Sequence, residues 1–189
     1  RTPNSLAFRV DGNGDSYWLF YEYGTEHGRT GGGGAFAGER YQTTATPPFA
    51  ADGSVHDWRL AYDPDAGEGH GEITFTVDDR TYRLPVREVD RRDTARFDRF
   101  GIWNQETTGG GLELWLDDLV VNGRRYTFDD DPGWAGQGNR AEFAERVVRP
   151  FHDYGHDAAG RVGGVIWRDE APSYYALPID VKTLDDELS

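Results

Sequence analysis

The sequence predicts an all-β protein, a two-layer antiparallel sandwich, and three observations carry that expectation. Apolar and β-branched residues recur with a period of two along most of the chain, the runs are bounded by Gly, Pro, Asn and Asp, and about nine runs follow one another at short spacing. At 189 residues the chain has the length of one domain. Its apolar fraction of 37% is modest, yet 14% of residues are aromatic and concentrate burial in large rings. Each ring removes ~150–250 Å² from water, enough to build a real core.

Taken in order, the first run, Leu6 to Val10, ends in Asp11-Gly12-Asn13-Gly14-Asp15 and returns as Ser16 to Tyr23, the pattern of a hairpin. Gly28 to Gly38, with four consecutive glycines at Gly31–Gly34, reads as a flexible connection. Strands are then expected at Arg40–Thr44, Val55–Tyr62, Glu72–Val77, Thr81–Leu84, Phe97–Trp103, Leu112–Val121 and Arg125–Phe128. Turn residues such as Asp63-Pro64-Asp65 and Asn122-Gly123 separate them. Only Arg140 to Arg149 has helical balance, a short amphipathic stretch stopped by Pro150. A Gly-rich segment and a strand-like Val162–Trp167 follow, and the polar tail is able to add an edge strand.

No repeat or second domain is evident. The expected organisation is one domain over residues 1–189, with a core at 6–128 and an irregular extension at 129–189 that packs on it or leads to a neighbour. Trp58, Leu60, Ile73, Phe75, Ile102, Leu114 and Leu116 are expected in the core.

Charge narrows the partners. With 34 acidic against 20 basic residues the formal net charge is −14, which repels phosphate backbones and anionic lipid and makes nucleic acid a poor partner. All basic residues but Lys182 are Arg. The absence of Cys excludes thiolate metal sites and Cys nucleophiles. No apolar run approaches the ~20 residues of a membrane helix. A chain that opens at Arg1 reads as a mature protein or as part of a longer one with further domains. Arg87, Arg91, Arg92, Arg96 and Arg99 alternate with acidic residues, as on a solvated, salt-bridged surface. No Walker loop, dinucleotide fingerprint, Gly-x-Ser-x-Gly elbow or His-Glu-x-x-His motif occurs.

Four strings recur in order: Val55-His56-Asp57-Trp58-Arg59-Leu60-Ala61-Tyr62-Asp63, Gly71-Glu72-Ile73-Thr74-Phe75-Thr76-Val77-Asp78, Phe100-Gly101-Ile102-Trp103-Asn104 and Leu112-Glu113-Leu114-Trp115-Leu116-Asp117-Asp118-Leu119. This series resembles concanavalin A-like lectin/glucanase domains over residues 6–128. The resemblance implies a jelly-roll sandwich, a secreted or extracellular setting and a glycan or polysaccharide ligand. Asp131-Pro132-Gly133-Trp134, Asn139-Arg140 and the segment from Phe151 to Arg168 look like parts of secreted bacterial proteins of polysaccharide breakdown. The superfamily holds lectins, binding modules, hydrolases and lyases, so it implies a ligand class better than a reaction.

On Leu112–Val121 the alternation puts Glu113, Trp115 and Asp117 on one face and Leu114 and Leu116 on the other. An indole covers the apolar face of a pyranose while carboxylates accept its hydroxyl hydrogens, so this stripe suits sugar. Laminarinase-like relatives carry Glu-x-Asp-x-x-Glu on such a strand, and this chain lacks it. Glu113 and Asp117 lie ~13 Å apart along a strand, beyond the ~5–9.5 Å of paired glycosidase carboxyls. The expected ligand-binding set is Trp103, Asn104, Glu113, Trp115, Trp134, Asn139 and Arg140. In many relatives the acid at the place of Asp117 ligates calcium, and Asp129-Asp130-Asp131 is dense enough in charge to attract a cation; a structural calcium on Asp117, Asp129 or Asp131 is therefore weighed against turn hydrogen bonds. Asp11-x-Asn13-x-Asp15 imitates a calcium loop but reads as a hairpin turn.

Of five histidines, His56 reads as structural, and His152 with His156, Tyr154 and Arg161 forms the densest chemical cluster. Gly155 and the Gly-rich run after it argue for a loop, in which His152, Tyr154 or His156 would move a proton and Arg161 clamp an anion. Three functions remain open: a carbohydrate-binding accessory domain, a polysaccharide-cleaving enzyme using the His152–His156 loop, and an assembly or adhesion module. The binding domain is favoured because no well-spaced carboxylate pair is evident.

Overall fold

The computed structural model describes residues 3–35, 49–104, 111–138, 152–167, 169 and 172–189. The expected strand Arg40–Thr44 and helix Arg140–Arg149, together with the candidate ligands Asn139 and Arg140, lie outside the described residues. The chain is predominantly β and its sheets are antiparallel. It divides into two compact units, Arg1–Phe97 with Lys182–Ser189, and Asp98–Val181. Residues 98–128, grouped with the core in the sequence reading, thus belong to the same unit as the segment expected to be an extension.

In the first unit β1 (Ser5–Asn13) and β2 (Ser16–Gly24) form the expected hairpin, turning at Gly14-Asp15. The glycine run expected to be flexible is a strand, β3 (Thr30–Gly34), paired with β2. Its pairing places Gly33 opposite Tyr21 and Gly31 opposite Tyr23, and a Cβ on either glycine would stand 2.4–2.5 Å from the tyrosine ring. The glycines therefore make room for two rings, which supply the packing that glycine itself lacks. A short β4 (Phe49–Ala50) also pairs with β2.

The second sheet of this unit is the meander β5 (Trp58–Asp63), β6 (Glu72–Val77) and β7 (Arg80–Pro85). A single turn, α1 (Ala66–Gly69), links β5 to β6. On β6 the period of two is complete: Ile73, Phe75 and Val77 are buried, and the intervening residues are partly exposed. They pack with Leu19, Tyr21 and Tyr23 of the first sheet in clusters that also take in Leu6, Phe8, Leu60 and Leu84, so this unit is a sandwich of two antiparallel sheets.

The charged stretch after β7 folds into α2 (Glu88–Asp93), where Arg92 pairs with Glu88. Asp90 is fully buried and accepts from the Tyr23 hydroxyl at 2.6 Å and from Arg87 Nε at 2.7 Å. Burial and the neighbouring Asp90 push the Tyr23 phenol up from its ordinary range, so it stays a donor to the carboxylate.

The second unit takes most of β8 (Arg96–Trp103) and of β15 (Tyr174–Thr183). The expected strand Leu112–Val121 is interrupted at Asp117-Asp118, where Asp118 has φ of 49°, giving β9 (Gly111–Leu116) and β10 (Leu119–Val121). Asn122-Gly123 then turns β10 into β11 (Arg124–Tyr126), with positive φ at both turn residues as an Asn-Gly hairpin needs. β12 (Ala135–Gln137), β15 and β8 form one sheet; the tail expected at an edge lies between its partners. β13 (Asp153–Asp157), β14 (Arg161–Trp167) and β9 form another. Among the residues expected in the core, Ile73 and Phe75 are fully buried, Ile102 and Leu116 buried, and Trp58, Leu60 and Leu114 partly buried.

Candidate functional site

The β13–β14–β9 sheet brings together two groups that sequence reading held apart, the Glu113–Trp115 stripe and the His152–His156 segment. The latter was expected to be a loop and is instead β13, hairpinned onto β14, with Asp153 opposite Val165 and Asp157 opposite Arg161. Residues directly opposite in antiparallel pairs share a face, so the register defines rows across three strands. Trp115, Gly163 and Gly155 form one row, and Glu113, Val165 and Asp153 the next. The other face carries Leu116, Val162 and His156, then Leu114, Gly164 and Tyr154.

One face is therefore apolar and closed, and the other polar and open. Val162 and Tyr154 are 0% and 1% exposed, whereas Glu113 is exposed and Trp115 half-buried. The open face holds a depression of about 200 Å³ lined by Glu113, Trp115, Asp153, Gly155, Asp157 and Gly163 among others. Its floor is backbone, because the two residues beside Trp115 in its row are glycines. Gly163 has φ of 149°, and a Cβ there would stand 2.0 Å from the Leu114 carbonyl oxygen. Gly164 has φ of 129°, with the Asp153 carbonyl oxygen 2.1 Å from its missing Cβ. No side chain fits at either position, and at Gly163 this keeps the floor of the open face bare.

The walls are pre-arranged. The Trp115 indole donates from Nε1 to Glu113 Oε1 at 2.9 Å. The guanidinium of Arg161 lies over the Trp115 ring, with Cζ 4.4 Å from a ring centroid, and donates from Nη2 to Asp157 Oδ2 at 2.8 Å. Asp157 Oδ1 accepts the backbone N–H groups of Ala159 and Arg161, each at 3.0 Å. Burial would raise the Asp157 carboxyl, but the hydrogen bonds and charge of Arg161 outweigh it and hold Asp157 below the usual carboxylate range. Arg161, expected as an anion clamp, is thus held as a cation stacked on Trp115 and paired with Asp157.

Of the proton-transfer candidates, Tyr154 is enclosed on the closed side and His152 is buried, while His156 is among the residues that line the depression. Tyr154 shares a short hydrogen bond with Ser173 Oγ, and burial pushes its phenol up to about 12. His156 Nε2 lies 2.8 Å from the Phe128 carbonyl oxygen and so carries its proton there. His152 is buried, and its Nδ1 accepts the Trp167 N–H at 3.2 Å. These contacts tie all three side chains into the hydrogen bonding of the hairpin and its neighbours.

The other candidates are dispersed. Trp103 is exposed at the end of β8, in a different sheet, and Asn104 accepts the Ser173 N–H at 2.7 Å and so serves the backbone. Trp134, expected to contact sugar, is 5% exposed and packs against Phe100, Tyr126, Phe128 and Tyr175 at centroid distances of 5.4–6.3 Å. Asp117 Oδ1 accepts the Asp118 N–H, Asp129 the Thr127 hydroxyl and Asp131 the Gly133 N–H, all local turn bonds. Among the described residues no three His, Cys, Asp or Glu side chains converge as a metal site, neither at Asp117, where the resemblance implied calcium, nor at Asp129 and Asp131, where charge density suggested a cation.

The chain matches no family model, no curated protein and no solved structure. The chemistry of the open face is the remaining guide to function.

His152 supplies a prediction for the hairpin. Burial lowers its pKa below the free value of 6.5, with Asp169 opposing only in part, so the folded state binds fewer protons than the unfolded chain. Stability associated with neutral His152 is full above 6.5 and is lost as pH falls through that value toward the lower folded pKa. His152→Gln, whose amide oxygen can accept the same Trp167 N–H, is expected to remove this loss in urea titrations across that range. Parallel pH profiles for variant and wild type would contradict it.

Proposed function

We propose that the chain is an extracellular carbohydrate-binding domain and that it holds glycan on the open face of the β13–β14–β9 sheet. The observation that carries this reading is the row Trp115–Gly163–Gly155, an indole beside a floor without side chains, flanked by the acceptors Glu113 and Asp153. A pyranose presents apolar C–H faces edged by hydroxyls. The indole suits the first and carboxylates the second, as concave sites with few placed polar groups do for small ligands. The resemblance of the strand series to concanavalin A-like domains points to the same ligand class.

Trp115→Ala is expected to weaken glycan binding about 30-fold, roughly 2 kcal/mol, in the range of an aromatic anchor. Thermal unfolding is expected to change little, since the ring is only half-buried. The check is a polysaccharide panel probed by affinity electrophoresis with both proteins. Failure of the wild type to bind any glycan, or equal binding by the variant, would refute the reading.

One observation favours a hydrolytic second reading. Glu113 and Asp153 stand in one row on outer strands of the sheet, so their backbones are ~10 Å apart, near the separation at which inverting glycosidases place two carboxyls around a water. New reducing ends in the same panel, lost in Asp153→Asn, would favour cleavage over binding alone.

A further inference from the structure

We propose that the depression on the β13–β14–β9 sheet is a blind slot that takes the terminal sugar residue of a glycan chain, not a stretch of its interior. This rests on the carbohydrate reading of the same face and names the part of the ligand that is recognised.

Three observations converge. First, the bare row is walled at one end. Trp115 stands on β9, and Gly163 and Gly155 continue the row across β14 to β13, an outer strand of this sheet. Glu113 holds the indole at Nε1, and the Arg161 guanidinium lies over its ring. Trp115 is therefore a fixed end wall and not the start of a longer aromatic platform. A sugar chain that meets this wall stops there, and its remaining residues leave over Gly155.

Second, both long sides of the row carry side chains. On one side Arg161 and Asp157 bridge β14 and β13 at 2.8 Å. On the other stand Glu113, Val165 and Asp153. One row further the Trp167 indole lies across Gly111, where a Cβ would be 2.6 Å from Trp167 Nε1. Gly163 and Gly155 are buried although their row belongs to the open face, as the floor of a narrow slot is and that of a flat platform is not. His156 and Gly164, of the alternate phase, complete the lining.

Third, the space is small. Its volume of about 200 Å³ lies below the ~300–1,000 Å³ of clefts that enclose drug-sized ligands, which suits one sugar residue and not a run of them.

The test is calorimetric titration with glucose, mannose, galactose and xylose, with linear di-, tetra- and hexasaccharides of each, and with the parent polysaccharides. In the series that binds, affinity per chain is expected to stay within about 2-fold from disaccharide to hexasaccharide, because residues beyond the slot add no contact. At equal polysaccharide mass, bound protein is expected to double when the chains are cut to half their length. Val165→Phe, which thickens one long side with a residue that suits a strand, is expected to weaken the disaccharide at least about 10-fold at an unchanged unfolding midpoint. A hexasaccharide that binds about 10-fold more tightly than the disaccharide overturns the slot while the carbohydrate reading stands. So do several proteins bound along one chain, binding of polysaccharide without any oligosaccharide, or undiminished affinity in Val165→Phe. If nothing in these series or in the polysaccharide panel binds, the carbohydrate reading falls and this inference with it.

Discussion

Gly163→Ala is expected to lower the unfolding free energy of the second unit by about 3 kcal/mol or more. Two costs combine. At φ of 149° the backbone is in a region that L side chains rarely adopt, which costs ~1–3 kcal/mol alone. The added Cβ would also lie 2.0 Å from the Leu114 carbonyl oxygen and 2.7 Å from Trp115 Cα, both backbone atoms of β9 that cannot yield unless the strands part. Gly14→Ala is the internal control. Its φ of 67° is strained, but nothing lies within 4 Å of the missing Cβ, so a loss of only ~1 kcal/mol is expected. Urea unfolding followed by tryptophan fluorescence measures both. If Gly163→Ala is no costlier than Gly14→Ala, β14 does not hold the register on which the Trp115–Gly163–Gly155 row depends.

Trp134→Ala is expected to cost about 3–5 kcal/mol, the range for removing a buried large aromatic. The indole is 5% exposed, with Tyr175 at 5.4 Å and Phe128 at 5.6 Å between centroids, so truncation leaves a cavity walled by these rings and by Phe100 of β8 and Tyr126 of β11. Glycan affinity of the remaining folded protein is expected to stay at the wild-type value, in contrast to Trp115→Ala. A stable Trp134→Ala protein with impaired binding would restore Trp134 to the ligand surface where sequence reading had placed it.

The two tryptophans show what was legible beforehand and what was not. Trp115 stands between Leu114 and Leu116 in a clean alternation, so its outward phase could be read from the residues. Trp134 follows Asp131-Pro132-Gly133 with no periodic run around it, and nothing local distinguishes an indole at a surface from one that long-range partners enclose. Glu72–Val77 and the Asn122-Gly123 turn were legible for the same reason as Trp115: period and turn chemistry are local properties. β3 was not, because glycine has no strand signature of its own and the packing comes from Tyr21 and Tyr23 on the neighbouring strand.

The His152–His156 segment carries a strand signal of its own. Asp153, Gly155 and Asp157 alternate with Tyr154 and His156, which is a strand period, but a glycine between two histidines suggested a loop. Cross-strand pairing sets Gly155 opposite Gly163, where it continues the bare row. The union of Glu113 with Asp153 could not be read at all. It depends on β14 lying between strands about 40 residues apart in the chain, a non-local pairing that alternation within one strand does not encode.

The most direct measurement is a nuclear magnetic resonance titration of isotope-labelled protein, following the indole N–H signals of its 6 tryptophans as glycan is added. The signal of Trp115 should move most, because its Nε1 bonds Glu113 within the depression, and those of the buried Trp18 and Trp134 should stay in place. A bound glycan that shifts another indole and leaves Trp115 unmoved would show that the open face of the β13–β14–β9 sheet is not where the ligand sits.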